Sequence, residues 1–292
     1  MQSALPRNGT DYLKFLICAR RKRQDTQERY FYEWGNIHVA LMLTTPAPMR
    51  VFKRYVQHFS VAGVTDDMLI YPLSHMQWDN MADHWLATYE DFLEALTAES
   101  YVQRMQPHQF GDKEFVLQLA RGEPLFQRPG FKSGGVKLIH WFKKHPRVAV
   151  EEFRRRWAKE YAPEFLEAAT SRGLIRKYVQ NTEDRLPPGV FKGTLFERGG
   201  YGGYAGMEEI WLDGMAGLTR LREDRGLVDL VRTRMGPLIE ESGTFSMVTT
   251  ERLVFDFATP NEMSPAPAIL NPDSLEALID AQGYRGWNIP NA

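Results

Sequence analysis

The chemistry open to this sequence depends on a few ionisable side chains that lie in apolar, strand-like segments. His140 lies between Ile139 and Trp141, and Glu209 lies in the segment "MEEIWL". Burial disfavours the charged form of such a group, shifts its pKa and makes it a candidate general acid or base. A hydrogen-bonded structural group is the other interpretation of each. We predict proton-transfer chemistry with His140 as the base, Glu209 as the acid and His75 as a further catalytic candidate.

Aromatic, amide and further imidazole side chains make up the rest of the predicted site. Tyr178 and Asn181 lie on one predicted strand and are expected to orient an oxygen atom of the substrate, as phenol and amide groups do. Tyr178 is counted in the catalytic set. The residues predicted to bind the substrate are Asn181, His38, His58, Tyr55, Tyr161, Trp141, Trp211, Tyr201 and Tyr204. The last two tyrosines lie in the glycine-rich "GGYGGYAG", which we interpret as a flap over an aromatic ring.

The sequence predicts no metal ion and no cofactor. Cys18 is the single cysteine, so neither an intrachain disulfide nor a cysteine-based metal site can form. The seven histidines include no pair at ligand spacing on one element. A metal site from His38, His58 and His75 would have to be assembled by folding, and their spacing does not support it.

An internal repeat indicates which elements position these residues. "KRYVQH" at 53–58 recurs as "RKYVQN" at 176–181, an offset of 123 residues. At the same offset Trp34 aligns with Trp157, and His38 with Tyr161. Farther on, "WDNMA" and "LDGMA" align at an offset of 134, so the second copy carries about eleven extra residues, which fit the Gly- and Pro-rich stretch 183–204. We interpret the chain as a tandem duplication.

Each copy reads as strand, helix, strand, loop, strand, helix, strand. Runs of β-prone residues predict the strands, and apolar residues at helical spacing predict the helices. The predicted strands are 12–20, 50–59, 68–78 and 114–120 in the first copy and 135–143, 174–181, 203–212 and 252–257 in the second, and the first helices are 26–44 and 148–171. The second helices are expected to follow "WDNMA" and "LDGMA".

This βαββαβ order is that of a ferredoxin-like unit. The predicted fold class is therefore α+β, with two tandem ferredoxin-like units whose open sheet faces pack against each other. The predicted divisions are 10–121 for the first unit, 122–134 for a linker, 135–258 for the second unit and 259–292 for a C-terminal extension with a short helix.

The composition limits the classes of partner. The 292 residues are 43% hydrophobic and carry a net charge of −1, which is typical of a globular protein and gives no overall field favouring nucleic acid. No segment approaches the roughly 18 apolar residues of a membrane span. The N-terminal "MQSALPRNGTDY" lacks the features of a signal peptide. We expect a cytoplasmic protein that binds neither nucleic acid nor membrane and that could form a homodimer.

The segments "VKLIHWFKKHP", "VEEFRRRWAKEYAPEFLEA" and "GLIRKYVQN" resemble the EthD family of the dimeric α+β barrel superfamily. That family's helix carries Phe-x-x-x-Trp-x-x-x-His. The second copy has Phe153 and Trp157 but Tyr161 in place of the histidine, whereas the first copy has Tyr30, Trp34 and His38. The resemblance implies that the two units form a dimeric α+β barrel within one chain. It also implies a cavity for hydrophobic, often aromatic or polyketide molecules.

The resemblance leaves several reactions open. We predict a cofactor-independent lyase, dehydratase or cyclase that acts by acid/base chemistry on a hydrophobic aromatic or polyketide-like small molecule. The alternatives are a cofactorless or haem-assisted monooxygenase and a non-catalytic binding protein. Relatives include enzymes of all these classes, so the site must decide.

Overall fold

Eight antiparallel strands form the centre of the computed structural model, which describes residues 12–197 and 203–258. The strands are Leu13–Ala19 (β1), Phe52–Ser60 (β2), Asn80–Leu86 (β3), Val116–Gln127 (β4), Val136–Lys143 (β5), Lys177–Asp184 (β6), Tyr204–Leu212 (β7) and Phe245–Asp256 (β8). They pair in the order β1-β3-β2-β8-β5-β7-β6-β4, and β4 returns to β1, so the barrel is closed. Tyr201 and the predicted C-terminal helix lie outside the described residues.

The predicted fold class is wrong. Two ferredoxin-like units packed sheet to sheet would leave each sheet with open edges. Instead β2 pairs with β8, and β4 pairs with β6, so strands from the two halves of the chain join edge to edge in one barrel. Closure is favourable because it leaves no row of unpaired backbone N–H and C=O groups. We refer to residues 12–127 as the first half and to residues 136–258 as the second half.

Helices cover the outside of the barrel. The α-helices are Gln27–Tyr32 (α1), Val39–Leu43 (α2), Pro46–Val51 (α3), Tyr89–Thr97 (α4), Glu99–Arg104 (α5), Val150–Arg156 (α6), Ala162–Ser171 (α7), Met215–Glu223 (α8) and Arg225–Met235 (α9). Two π-helical segments, Glu33–His38 and Trp157–Tyr161, connect α1 to α2 and α6 to α7. Short 3-10 turns lie at Asp66–Met68, Gly236–Leu238 and Glu241–Gly243. None of the described helices is long and apolar enough to cross a membrane.

Most predicted elements are confirmed, and one strand is wrong. The helices expected at 26–44 and 148–171 and the first strands of both copies lie within a few residues of their predicted bounds. The strand predicted at 68–78 is not formed. Its place is taken by a loop, and the third strand is Asn80–Leu86. Pro72 has no backbone N–H to donate to a sheet, which explains why the strand begins later. Ala82 pairs with Ile17 and Gln57, as Glu208 pairs with His140 and Gln180. Ala82 therefore corresponds to Glu208, and the predicted alignment of "WDNMA" with "LDGMA" at an offset of 134 is wrong.

Side chains alternate between the two faces of the barrel wall. Leu16, Cys18 and Met81 pack with Ile139 and Met207 in a cluster that contains residues of both halves and no helical residue, so this cluster fills the barrel interior. The alternate positions of the same strands pack against the helices in two outer clusters, one for each half. A residue's position along a strand therefore decides which of two unlike environments its side chain occupies.

Candidate functional site

A cavity of about 340 Å³ lies in the first half, between the outer face of the sheet and the helices. Its wall is mainly apolar and aromatic, with side chains that include Phe15, Trp34, Phe52, Leu96, Phe110 and Phe196. Three histidines, His38, His84 and His108, also line it. An apolar cavity with a few convergent polar groups is the usual form of a small-molecule site. We take this cavity as the candidate functional site.

Two small side chains explain why the first half has room for a cavity. Ile17 on β1 pairs with Ala82 on β3, and both line the cavity. The register pair at the same place in the second half is His140 on β5 and Glu208 on β7. The larger polar pair fills the space that the first half leaves open.

His84 is held within a stack of aromatic rings. Its imidazole lies 4.4 Å from the Tyr55 ring and 4.7 Å from the Phe52 ring, centroid to centroid, at interplanar angles of 20° and 26°. Burial lowers the pKa of His84 to about 3, opposed in part by hydrogen bonding to the backbone of Phe15. The imidazole is therefore uncharged at neutral pH.

The imidazole rings of His38 and His108 stack on each other in the cavity wall. Their rings stack at a centroid distance of 5.9 Å and an angle of 21°. Burial, followed by the charges of His108 and His84, lowers the pKa of His38 well below its usual value. Burial, followed by the charge of Lys22, lowers the pKa of His108 to about 4. All three imidazoles are thus neutral at pH 7 and able to accept a proton.

A hydrogen-bonded π-helical segment sets the position of His38. Gln57 Nε2 donates to the backbone oxygen of Trp34, at 3.1 Å, and to the hydroxyl of Tyr55, at 3.0 Å. In the second half, Gln180 Nε2 makes the corresponding bonds to Trp157 O and Tyr178 Oη, at 3.4 and 3.0 Å. The repeated Tyr-Val-Gln therefore supports the π-helical segments of both halves, which are frequent at functional sites.

Part of the long loop of the second half closes the first-half cavity. Thr194, Leu195, Phe196 and Glu197 line it. Phe196 meets Phe15 edge to face at a centroid distance of 5.7 Å. Tyr204, which we predicted to be part of a flap, lies instead on β7 and packs against Trp141 and Phe245.

The corresponding space in the second half holds a buried polar network around Glu208. His140 Nδ1 lies 2.7 Å from Glu208 Oε1, to which the Tyr161 hydroxyl donates at 3.2 Å. The Tyr178 hydroxyl donates to Glu208 Oε2 at 2.6 Å. Tyr71, from the first half, meets the His140 ring edge-on. Burial and the charge of Glu208 raise the pKa of all three tyrosines, so the phenols remain donors.

The structure separates the predicted site residues into three places. Those in or beside the outer clusters are His38, Tyr55, His140, Tyr161 and Tyr178. Those inside the barrel are His58, Trp141, Asn181, Tyr204, Glu209 and Trp211. His75 lies exposed in a turn. The predicted acid Glu209 and base His140 therefore face opposite sides of the sheet. Of the predicted residues that the structure describes, His38 alone lines the cavity.

Three important residues were missed. Glu208 lies next to Glu209, and its alternation with Ile210 and Leu212, which face the helices, was the available signal. His84 was missed because its strand was predicted at 68–78 rather than at Asn80–Leu86. His108 lies in a loop after α5, where no periodicity marks it.

The barrel interior holds a network of buried ion pairs. Lys137 Nζ lies 2.6 Å from Glu209 Oε2 and 2.9 Å from Glu251 Oε2. Lys14 Nζ lies 3.1 Å from Glu209 Oε1 and 3.7 Å from Asp83 Oδ2. Ion pairs in this position add specificity more than stability, because desolvation offsets their attraction.

The comparisons with known proteins agree with the fold. A model of the EthD domain matches residues 145–231, so the predicted resemblance is confirmed for that part of the second half. An anthrone oxidase-like protein of known structure is similar over 85% of this chain and 95% of its own, with a TM-score of 0.56 and 11% identity. This likeness shows a shared fold.

Two further solved structures are similar at a lower level. One is a candidate monooxygenase from Fusobacterium nucleatum, with 8% identity, coverage of 83% of this chain and 93% of its own, and a TM-score of 0.46. The other is a chlorite dismutase from Candidatus Nitrospira defluvii, with 10% identity, coverage of 82% and 92%, and a TM-score of 0.44. No curated protein matches the sequence.

Proposed function

We propose that this chain is a cofactor-independent oxygenase that acts on a hydrophobic, planar aromatic molecule bound in the first-half cavity. The observation that carries the proposal is the convergence of three neutral imidazoles, His38, His84 and His108, on one apolar cavity. The name of the anthrone oxidase-like neighbour supports the choice of oxygenation over the lyase chemistry that we predicted from the sequence.

The size and lining of the cavity suit a small fused-ring molecule. A volume of about 340 Å³ is at the lower end of the range for small-molecule sites. Rings on several sides, among them Phe15, Phe52 and Phe196, offer edge and face contacts to an aromatic ligand. Anthrone, three fused rings with a weakly acidic CH₂ group, is a suitable probe.

We assign the role of general base to His38. Its ring stacks on that of His108, and its Nδ1 makes no hydrogen bond to a described residue. It also occupies the helical position of the histidine in the EthD pattern. Removal of a proton leaves an anionic substrate beside the ring, and a neighbouring anion raises the pKa of an imidazole. The base thus becomes stronger as the substrate becomes charged.

The proposed reaction is balanced with dioxygen as the oxidant. His38 takes a proton from the CH₂ group, and the resulting carbanion is oxidised by O₂ to a hydroperoxide anion bound to carbon. The proton returns from His38 to the peroxide, and loss of water leaves a carbonyl group. The sum is R₂CH₂ + O₂ → R₂C=O + H₂O. The apolar cavity would protect the carbanion from protonation by water.

Haem, which our sequence analysis left open, does not fit this cavity. Its volume of about 340 Å³ is too small for a tetrapyrrole with its propionates. His84 lies flat between Tyr55 and Phe52, and His38 lies flat against His108, so the imidazoles are held in ring stacks. Among the described residues that line the cavity the one lysine is Lys113, and it is accompanied by Asp112 and Glu197, a poor setting for two propionates.

A second candidate is elimination of water by the same base. The Tyr101 phenol lines the cavity, and burial raises its pKa, so it could protonate a leaving hydroxyl group. This is the dehydratase type of chemistry that we predicted, now located in the first half. It requires no oxygen, which distinguishes it from oxygenation.

We also infer that the two halves are diverged copies of one unit, of which the first keeps the working cavity. The matching bonds of Gln57 and Gln180 support this inference. The first half has the pair Ile17 and Ala82 where the second half has His140 and Glu208. This difference supports different roles for the two halves.

Oxygen consumption tests the proposal directly. The full chain is mixed with anthrone in air-saturated and in anaerobic buffer, and oxygen uptake and the quinone product are measured. We expect uptake with wild type and a fall in kcat/KM of about 10²- to 10⁴-fold for His38→Gln. His145→Gln, in a loop of the second half, is the matched control and should behave as wild type. Equal turnover of wild type and His38→Gln would refute the role of His38, and the absence of oxygen uptake by wild type with anthrone would refute the proposed oxygenation.

A further inference from the structure

The inside of the barrel contains three potential metal ligands that the first-half cavity does not use. They are His58 on β2, Asp83 on β3 and Glu209 on β7, and each is at most 3% exposed. One ligand atom from each lies within 4.8 Å of the others. We propose that these three residues bind one divalent first-row transition metal ion in the barrel interior.

His58 is the observation that points to a ligand. Its side chain is completely buried, yet neither ring nitrogen makes a hydrogen bond to a described residue. Oδ1 of Asp83 also makes no hydrogen bond to a described residue, although the indole of Trp85 lies nearby. Leaving a polar group unpaired in the interior is costly, so buried unsatisfied groups normally have a partner such as an ion or a water molecule. A metal ion would use the imidazole nitrogen and the free carboxylate oxygen together.

The spacing needs only a small contraction to close on an ion. Imidazole nitrogens and carboxylate oxygens bind such ions at about 2.1 Å, so two ligand atoms of one ion are at most about 4.2 Å apart. The three atoms already lie within 4.8 Å of one another. Side-chain rotations that move the ligand atoms by about half an ångström are sufficient. The backbone positions of the ligands are fixed, because they lie on three strands of one rigid barrel.

The local charge also favours a cation. Three carboxylates, Asp83, Glu209 and Glu251, meet two ammonium groups, Lys14 and Lys137, so the network has an excess of one negative charge. His58 adds a neutral donor. A further amine, Lys177, lies over the Trp211 ring at 5.3 Å and forms no ion pair with these carboxylates among the described residues.

Lys14 competes with the metal ion for two of its ligands. Its ammonium group contacts the carboxylates of Asp83 and Glu209, which the ion would have to bind instead. In the same position Lys14 Nζ also lies 5.1 Å from the centre of the Trp85 ring. Metal affinity should therefore rise when Lys14 loses its charge.

The donor set selects the kind of metal. Imidazole suits zinc, iron, copper and nickel, whereas carboxylates alone suit magnesium and calcium. One imidazole with two carboxylates favours zinc or manganese over the alkaline-earth ions. The ion would join strands of both halves inside the barrel, on the opposite face of the sheet from the cavity, so its role is structural and independent of the proposed reaction.

The test measures binding of Zn²⁺ and Mn²⁺ to the full chain after chelator treatment, by calorimetry and by metal analysis after gel filtration. We expect about one ion per chain and a higher Tm with metal. His58→Gln should weaken binding about tenfold or more, and Lys14→Met should strengthen it. His84→Gln is the matched control. His84 follows Asp83 on β3, but its side chain faces the cavity and not the barrel interior, so this variant should bind the metal ion with wild-type affinity.

Three results would overturn the site. They are absence of binding by both wild type and Lys14→Met, wild-type affinity in His58→Gln, and a crystal structure with only water between His58 and Asp83. If His58→Gln does not fold, the first and third results still decide, because they need only wild type and Lys14→Met. Since no readout involves turnover, failure of the proposed oxygenation would leave this test unaffected.

Discussion

The buried imidazole of His84 should make the protein less stable in acid, by an amount that can be calculated. Burial lowers its pKa from 6.5 to about 3. Below pH 6.5 the unfolded chain takes up a proton at this site, whereas the folded chain stays unprotonated until about pH 3. The free energy of unfolding therefore falls as the pH falls, by up to about 1.4 kcal/mol per pH unit. Integrated from pH 7 to pH 5, the loss due to this one group is about 2 kcal/mol.

Replacement of His84 by phenylalanine isolates this effect. A phenyl ring can occupy the stack between Tyr55 and Phe52 and cannot be protonated. Urea unfolding followed by circular dichroism at pH 7 and pH 5 gives the loss for each protein. We expect His84→Phe to lose about 2 kcal/mol less than wild type between these two pH values. The other buried histidines are present in both proteins, so their contributions cancel in the comparison.

A control variant and a clear contrary result complete the experiment. His145 lies in a loop and is only partly buried, so His145→Phe should keep the wild-type loss of stability in acid. If His84→Phe showed the same acid-induced loss as wild type, the imidazole of His84 would not be buried and neutral.

Three further substitutions test the cavity and its supports. Ala82→Leu places a larger side chain in the cavity, so anthrone binding followed by fluorescence should weaken at least about tenfold, or ~1.4 kcal/mol, with no loss of Tm; unchanged affinity would place the ligand elsewhere. Phe196→Ala removes the ring packed on Phe15 and should lower the free energy of unfolding in urea by roughly 3 kcal/mol; a loss below about 1 kcal/mol would show that the ring is not packed there. Gln57→Leu leaves the Trp34 oxygen without its donor and should cost about 1–3 kcal/mol in the same assay; no loss would remove this bond from the supports of the π-helical segment.

Local sequence patterns predicted most of the elements but not their assembly. Apolar periodicity located the helices of both halves, because each packs a stripe on the barrel. The same patterns also fit two sheets packed face to face. Alternation shows that a strand has two unlike faces, but it does not show which strands pair along its edges. The continuation of β4 to Gln127, into the predicted linker, pairs it with β6 and helps close the barrel.

The site was predicted less well because the two sides of a strand differ by one residue. Asp83 belongs to the interior ion pairs and His84 to the cavity, although they are neighbours in the sequence. Glu209 and Glu208 divide in the same way between the interior and the second-half network. An error of one residue in register moves a side chain to the other face, so candidate residues chosen by type alone were divided among unrelated environments.

The contrast between the halves explains how one barrel can hold both a reactive cavity and a rigid support. In the second half, Glu208 accepts hydrogen bonds from two phenols and contacts His140, so these larger polar side chains leave little room for a ligand. In the first half, Ile17 and Ala82 offer no such partners, and Nδ1 of the nearby His38 makes no hydrogen bond to a described residue. Because hydrogen-bonded side chains fill the second-half space, whereas an apolar and aromatic wall encloses a cavity in the first half, binding is expected in the first half. The same fold thus gives opposite outcomes from one position on each of two paired strands.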